Sequence, residues 1–249
     1  MNRSLLALKK IYGFLIVLVI FSFSLINEGF GQATNDYRSN VTTGNWGATG
    51  SWQRYNGSAW VAASSAPTST ANVITVRNGH AIAIAVSVTI DQVVIEAGGQ
   101  VTINSAVTMT IANGTGTDFS VSGTLQTNST SGTSGISNSG TIVFNSGGKY
   151  IHNINGDAIP TATWDANSIC EITGVTSTIP GGQAQTFGNF VYNSTGQTGA
   201  ENLAPTGITG TLEIINTGVS QLRLNVSSLP VGNYIQTGGT FSLSSSNNT

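Results

Sequence analysis

Val93-Val94-Ile95-Glu96-Ala97-Gly98-Gly99-Gln100-Val101-Thr102-Ile103-Asn104-Ser105-Ala106-Val107-Thr108-Met109-Thr110-Ile111-Ala112-Asn113-Gly114 packs three short β-branched runs into one stretch, parted by Gly, Asn and Ser. Apolar and small polar residues alternate with a period of two inside each run, which is the mark of a strand with one buried face. The pattern extends upstream through Val73-Ile74-Thr75-Val76, Ile82-Ala83-Ile84 and Val88-Thr89-Ile90. Its breaks fall at turn dipeptides such as Asn78-Gly79, Gly98-Gly99 and Asn113-Gly114. Downstream, the triplet Gly-Thr-apolar opens a strand-like segment at Gly123-Thr124-Leu125, Gly140-Thr141-Ile142, Gly210-Thr211-Leu212 and Gly239-Thr240-Phe241. No stretch from Thr34 to Thr249 sustains a helical period, so the chain is all-β.

The strands are shorter than those of a β-sandwich, the alternative all-β architecture, and only 7% of the residues are charged. An outer face of Thr and Ser suits side-chain ladders between stacked rungs. The pattern therefore predicts a right-handed parallel β-helix, a β-solenoid. The triplets are unevenly spaced, which excludes a strict hexapeptide or nonapeptide repeat but not a solenoid whose insertions fall in loops. Trp46, Trp52 and Trp60, with Tyr37 and Tyr55, precede the strands and predict an aromatic cap over the N-terminal end. The expected layout is a signal peptide over 1–31, a capping segment over 32–67 and the β-helix over 68–249, running on beyond Thr249.

Arg3, Lys9 and Lys10 precede an apolar run from Ile11 to Ile26, and Gly29-Phe30-Gly31 offers small residues at a cut before Gln32. That is the layout of a cleaved export signal, with a run too short for a spanning helix and no membrane span after cleavage. The expected location is extracellular or on the outer cell surface. Without that segment the chain has five cationic and nine anionic side chains. This argues against a nucleic-acid partner, which requires a basic stripe. The single Cys170 has no disulfide partner within the chain and reads as a buried strand residue.

Tyr37-Arg38-Ser39, Gly44-Asn45-Trp46, Ser51-Trp52, Pro67-Thr68 and Val76-Arg77-Asn78-Gly79-His80 resemble the opening of large bacterial surface proteins exported by type-nine secretion. Val93–Gly99, Ile111–Gly116 and Ile159-Pro160-Thr161-Ala162-Thr163-Trp164 resemble their rungs, and Pro67–Gly99 is similar to the G8 type of β-module. The resemblance implies an adhesin-like or scaffold-like protein that meets the type-nine secretion machinery. The sorting domain that ends such proteins does not occur in this sequence.

Chemistry is sparse. Lys149, His152, Asp157, Asp165 and Glu171 form the densest group of ionisable residues. Polysaccharide-cleaving β-helices use such groups as calcium-binding carboxylates or as a carboxylate pair. Asn155-Gly156-Asp157 and Asp165-Ala166-Asn167 read instead as turns with Asx chemistry, so the carboxylates are expected not to converge. His80 and His152 lie too far apart in sequence to suggest a metal site, and no cofactor or metal is expected. No nucleophile triad or phosphate loop occurs. Thr108-x-Thr110, Thr115-x-Thr117 and Thr209-x-Thr211 do not recur at a fixed rung spacing, which argues against a matched ice-binding array.

Trp46, Trp52, Tyr55 and Trp60 are the candidate ligand-binding residues, because indole and phenol faces stack on the C–H face of a sugar. The expected function is a non-enzymatic surface scaffold or adhesion module whose partners are polysaccharides or surface glycans. A carbohydrate-active β-helix of the lyase or hydrolase kind is the alternative.

Overall fold

The computed structural model describes residues 31–130 and 135–243; the expected export signal, up to Phe30, lies outside the described residues. Contacts separate the chain into Met1–Ala33 and one compact unit, Thr34–Thr249. This second unit is a β-solenoid of about eight turns. Its strands stack in parallel on three faces.

Face I is formed by Tyr37–Ser39, Ile74–Val76, Val93–Ile95, Phe119–Val121, Ile142–Phe144 and Thr163–Trp164. Face II is the core of a 10-stranded sheet that runs from Thr43–Asn45 through Ala81–Ile84, Gln100–Ile103, Thr124–Thr127, Lys149–His152, Ile169–Ile172 and Asn189–Asn193. It ends with Gly207–Asn216 and Val231–Gln236. Face III carries Val88–Ile90, Met109–Ile111 and Ile136–Asn138 in the early turns, and Glu201–Leu203, Leu222–Leu224 and Phe241–Ser242 in the late ones.

Register converts the period-two pattern into inward columns. On face II, Ile82, Val101, Leu125, Tyr150, Cys170, Phe190 and Leu212 lie one above another, and so do Ile84, Ile103, Thr127, His152, Ile172, Tyr192 and Ile214. Face I adds Ile74, Val93, Phe119 and Ile142 beside Val76, Ile95, Val121, Phe144 and Trp164. Apart from Trp164, which is partly exposed, every member of these columns is buried. Except around Thr127 and His152, the side chains within these columns stack on apolar neighbours, and burial of this kind is the main favourable term in folding.

Turn length is not constant. The first turn, which contains the cap hairpin, takes 37 residues from Tyr37 to Ile74, and the later ones run from 19, Ile74 to Val93, to 27, Met109 to Ile136. What recurs is a corner. Gly99, Gly123, Gly148, Gly188, Gly210 and Gly232 each stand near the start of a face II strand, or within the long one. At this corner the chain passes close under the turn before it. A Cβ on Gly123 would collide with the carbonyl oxygen of Gly99, and one on Gly148 with that of Val121.

The N-terminal end is closed by a change of strand direction. Trp52–Tyr55 pairs antiparallel with Tyr37–Ser39 and again with Trp60–Ala62. Trp46 and Trp52 lie inside this hairpin layer, each 1% exposed, with ring centroids 4.9 Å apart. Both indole N–H groups are satisfied, Trp46 Nε1 by the carbonyl of Pro67 at 2.9 Å and Trp52 Nε1 by that of Trp46 at 2.8 Å. The strands Tyr37–Ser39 and Thr43–Asn45 already belong to the parallel stack.

At the other end, Val231–Gln236 is the last strand of face II, and an apolar cavity of about 400 Å³ opens beside it. Leu212, Leu224, Val231, Tyr234 and Phe241 line that cavity.

Candidate functional site

The Lys149–Glu171 segment is built into the solenoid and spends its ionisable groups there. Lys149 and Glu171 point outward from adjacent face II strands, and their side chains form an ion pair. His152 points inward in the next position and is fully buried. Its Nε2–H donates to the carbonyl of Gly156 at 2.9 Å, which leaves Nδ1 to accept from the Tyr150 hydroxyl at 3.1 Å. Burial pushes the imidazole below its ordinary value, and the Gly156 carbonyl and Asp157 offset this only in part.

Asp157 sits in a left-handed turn at φ 61°, and its main-chain carbonyl accepts from the Gly181 N–H at 2.7 Å. The Asp165 carboxylate accepts from the N–H of Asn167 at 2.8 Å, an Asx turn. Cys170 lies in the inward column, where burial and Glu171 raise its thiol well above the usual range. A thiol held neutral in this way is a poor nucleophile. Among the described residues no three His, Cys, Asp or Glu side chains gather to hold a metal ion, and no helix is long and apolar enough to cross a membrane.

The aromatic quartet separates into two pairs. Trp46 and Trp52 are inside the cap and out of reach of any ligand. Tyr55 and Trp60 face each other across the antiparallel hairpin, are partly exposed, and have ring centroids 5.4 Å apart. Alternation puts Arg38 and Gln53 on the same outward face. The Arg38 guanidinium carbon stands 4.2 Å from the Trp60 ring centroid, and Arg38 Nε donates to Gln53 Oε1 at 2.9 Å.

His80 stays near this end, with Nδ1 2.8 Å from Ser39 Oγ. Burial lowers its pKa, helped by Arg77 and opposed by Glu96. Arg77 donates through Nε to the Ser39 carbonyl at 2.7 Å.

One constellation escapes the sequence reading. Asp91, which follows a face III strand, and Asp118, which precedes a face I strand one turn on, bring their carboxyl groups into hydrogen-bond contact. Asp118 is fully buried and accepts from Gly114 N–H at 2.7 Å, from Thr141 N–H at 2.6 Å and from the Thr141 hydroxyl at 3.0 Å. Burial works to raise its pKa, but these donors and the Asp91 hydrogen bond outweigh it and hold the group below its ordinary value. Asp91 goes the other way, raised by burial and then by the hydrogen bond and charge of Asp118. The two are 27 positions apart, a separation that suggests contact only once the turn lengths are known.

Comparison of the chain with family models, with curated proteins and with solved structures gives no match.

Proposed function

We propose that this chain is a secreted or cell-surface β-helical scaffold, an adhesion module that binds through the broad outward side of its stacked sheets. The observation that carries this reading is the use to which the ionisable segment is put. Lys149 and Glu171 neutralise each other, His152 is locked in the core, and Asp165 caps its own turn. The groups that a polysaccharide-cleaving β-helix would aim at a substrate are thus committed to the fold.

Face II meanwhile presents Gln100 and Thr102, then Thr124 and Gln126, outward in register on two successive turns, and Asn189 and Thr211 on two later ones, with the Lys149–Glu171 pair, Ile151 and Ile169 between them. Such a surface binds through many weak, neutral polar contacts, and its affinity grows with the number of turns engaged.

The test is to incubate the protein with a panel of acidic and neutral polysaccharides, with and without calcium, and to follow both retention and chain cleavage. Retention without cleavage is expected. The double substitution Asp157→Asn and Asp165→Asn should leave folding and retention intact. Cleavage that disappears in this double variant would replace the scaffold reading with an enzymatic one.

A further inference from the structure

We propose that Arg38, Tyr55 and Trp60 form a binding site for an anionic sugar, a uronate unit of an acidic polysaccharide. The proposal rests on the adhesion reading and gives it a ligand class.

The first observation is that the cap does not use these side chains as its interior. Trp46 and Trp52 fill that role, while Tyr55 and Trp60 keep part of their surface in water on the opposite side of the hairpin. Arg38 covers one face of the Trp60 ring, so the surface that meets the C–H face of a pyranose is the Tyr55 ring, whose centroid lies 5.4 Å from that of Trp60 at a tilt of 57°.

The second observation is the state of Arg38. Its guanidinium lies over the Trp60 ring and uses one N–H on Gln53, and no carboxylate pairs with it among the described residues. Arg38 is held rigid by the stack and the Gln53 bond, so its remaining N–H donors form a pre-ordered fork. A carboxylate can accept that fork in a bidentate arrangement, with both directionality and charge.

The third observation is charge distribution. Of the five cationic side chains among the described residues, Arg38, Arg54 and Arg77 belong to the cap and the first full turns, although nine carboxylates make the chain acidic overall. The nearby acids are occupied. Asp36 accepts from Asn72 and from the N–H of Val73, and Glu96 from the N–H of Asn78. With Asp36, Asp91 and Glu96 this end is balanced, whereas the rest of the described residues set Lys149 and Arg223 against six carboxylates, so an anion meets the least repulsion here.

Affinity electrophoresis of the full chain through gels containing polygalacturonate, dextran sulfate or dextran tests this directly. Polygalacturonate should retard the protein, the effect should weaken as salt rises, and neutral dextran should leave mobility unchanged. Arg38→Gln and Tyr55→Ala should each weaken polygalacturonate binding about tenfold or more, with Arg38→Lys falling in between because it keeps the charge and loses the fork. Val219→Thr, at an exposed turn in the late part of the solenoid and outside either proposed binding surface, should leave this affinity unchanged.

Thermal unfolding of each variant separates a lost site from a lost fold. Tyr55→Ala serves if Arg38→Gln does not fold. Folded variants that bind polygalacturonate as the parent does would overturn the site, and so would dextran sulfate binding as strong as polygalacturonate with the same dependence on Arg38. In either case retention of the protein on other glycans would leave the adhesion reading standing. Cleavage of polygalacturonate would do the reverse.

Discussion

Two carboxyl groups can hydrogen-bond to each other only while one of them keeps its proton, and Asp91 is the one placed to do so. Its partner Asp118 already receives three donors that favour the charged form. A carboxyl held protonated above its ordinary value, here 3.8, contributes stability that is complete in acid and is lost as pH rises through the raised value. Asp118 has the opposite sign. Its contribution is present above the ordinary range and is lost as pH falls through its lowered value.

Asp91→Asn supplies a donor at every pH. It should therefore raise the melting temperature at neutral pH and converge on the parent near pH 3. Asp118→Asn keeps a single acceptor oxygen where Gly114 and Thr141 use two, so one of these donor sets faces an NH2 group, and the change should cost about 1–3 kcal/mol at neutral pH. The measurement is thermal unfolding of all three proteins between about pH 3 and pH 8. His152, whose lowered value costs stability as pH falls through the histidine range, is common to all of them and cancels in the differences. An Asp91→Asn protein that is weaker than the parent throughout would contradict the shared proton.

At the scale of the element, the cap and the corner show what the sequence disclosed. A cluster of tryptophans ahead of the first strands is legible as a cap, because a solenoid end must cover its apolar columns. What the cluster did not disclose is which rings turn inward. That depends on the hairpin register, which places Trp52 opposite Ser39 and Trp60 opposite Tyr55. Replacing Trp52 with Ala should lower stability by about 3–5 kcal/mol, the usual cost of emptying a large aromatic site. Trp60→Ala should cost much less, and urea unfolding of the two variants gives the comparison directly.

The Gly-Thr-apolar triplet has a similar history. Gly123-Thr124-Leu125 and Gly210-Thr211-Leu212 enter face II at the same corner, whereas Gly140-Thr141-Ile142 enters face I and Gly239-Thr240-Phe241 enters face III. The triplet marks corners in general, and its uneven spacing follows from that. The carboxylate pair was illegible for the related reason that contact between Asp91 and Asp118 depends on a turn length that no local motif encodes.

The whole molecule was the most legible level, since period-two runs of only three to five residues, with a Thr- and Ser-rich outer face and few charges, favour stacked rungs over the alternative β-sandwich. The stack also has a mechanical meaning. Each turn touches only the turns above and below it, so a pull applied along the long axis meets one ladder of hydrogen bonds at a time. Beyond the cap, rungs of 19 to 27 residues then come away singly, each releasing roughly 60–100 Å of slack at about 3.3–3.6 Å per residue. Stretching one molecule between a surface and a probe should give a train of small force peaks of unequal spacing. A single cooperative rupture would argue against rung-by-rung yielding. A chain that lengthens in steps dissipates a sudden tug before the ends of the stack feel the full load, and the uneven rungs spread that relief over a range of extensions.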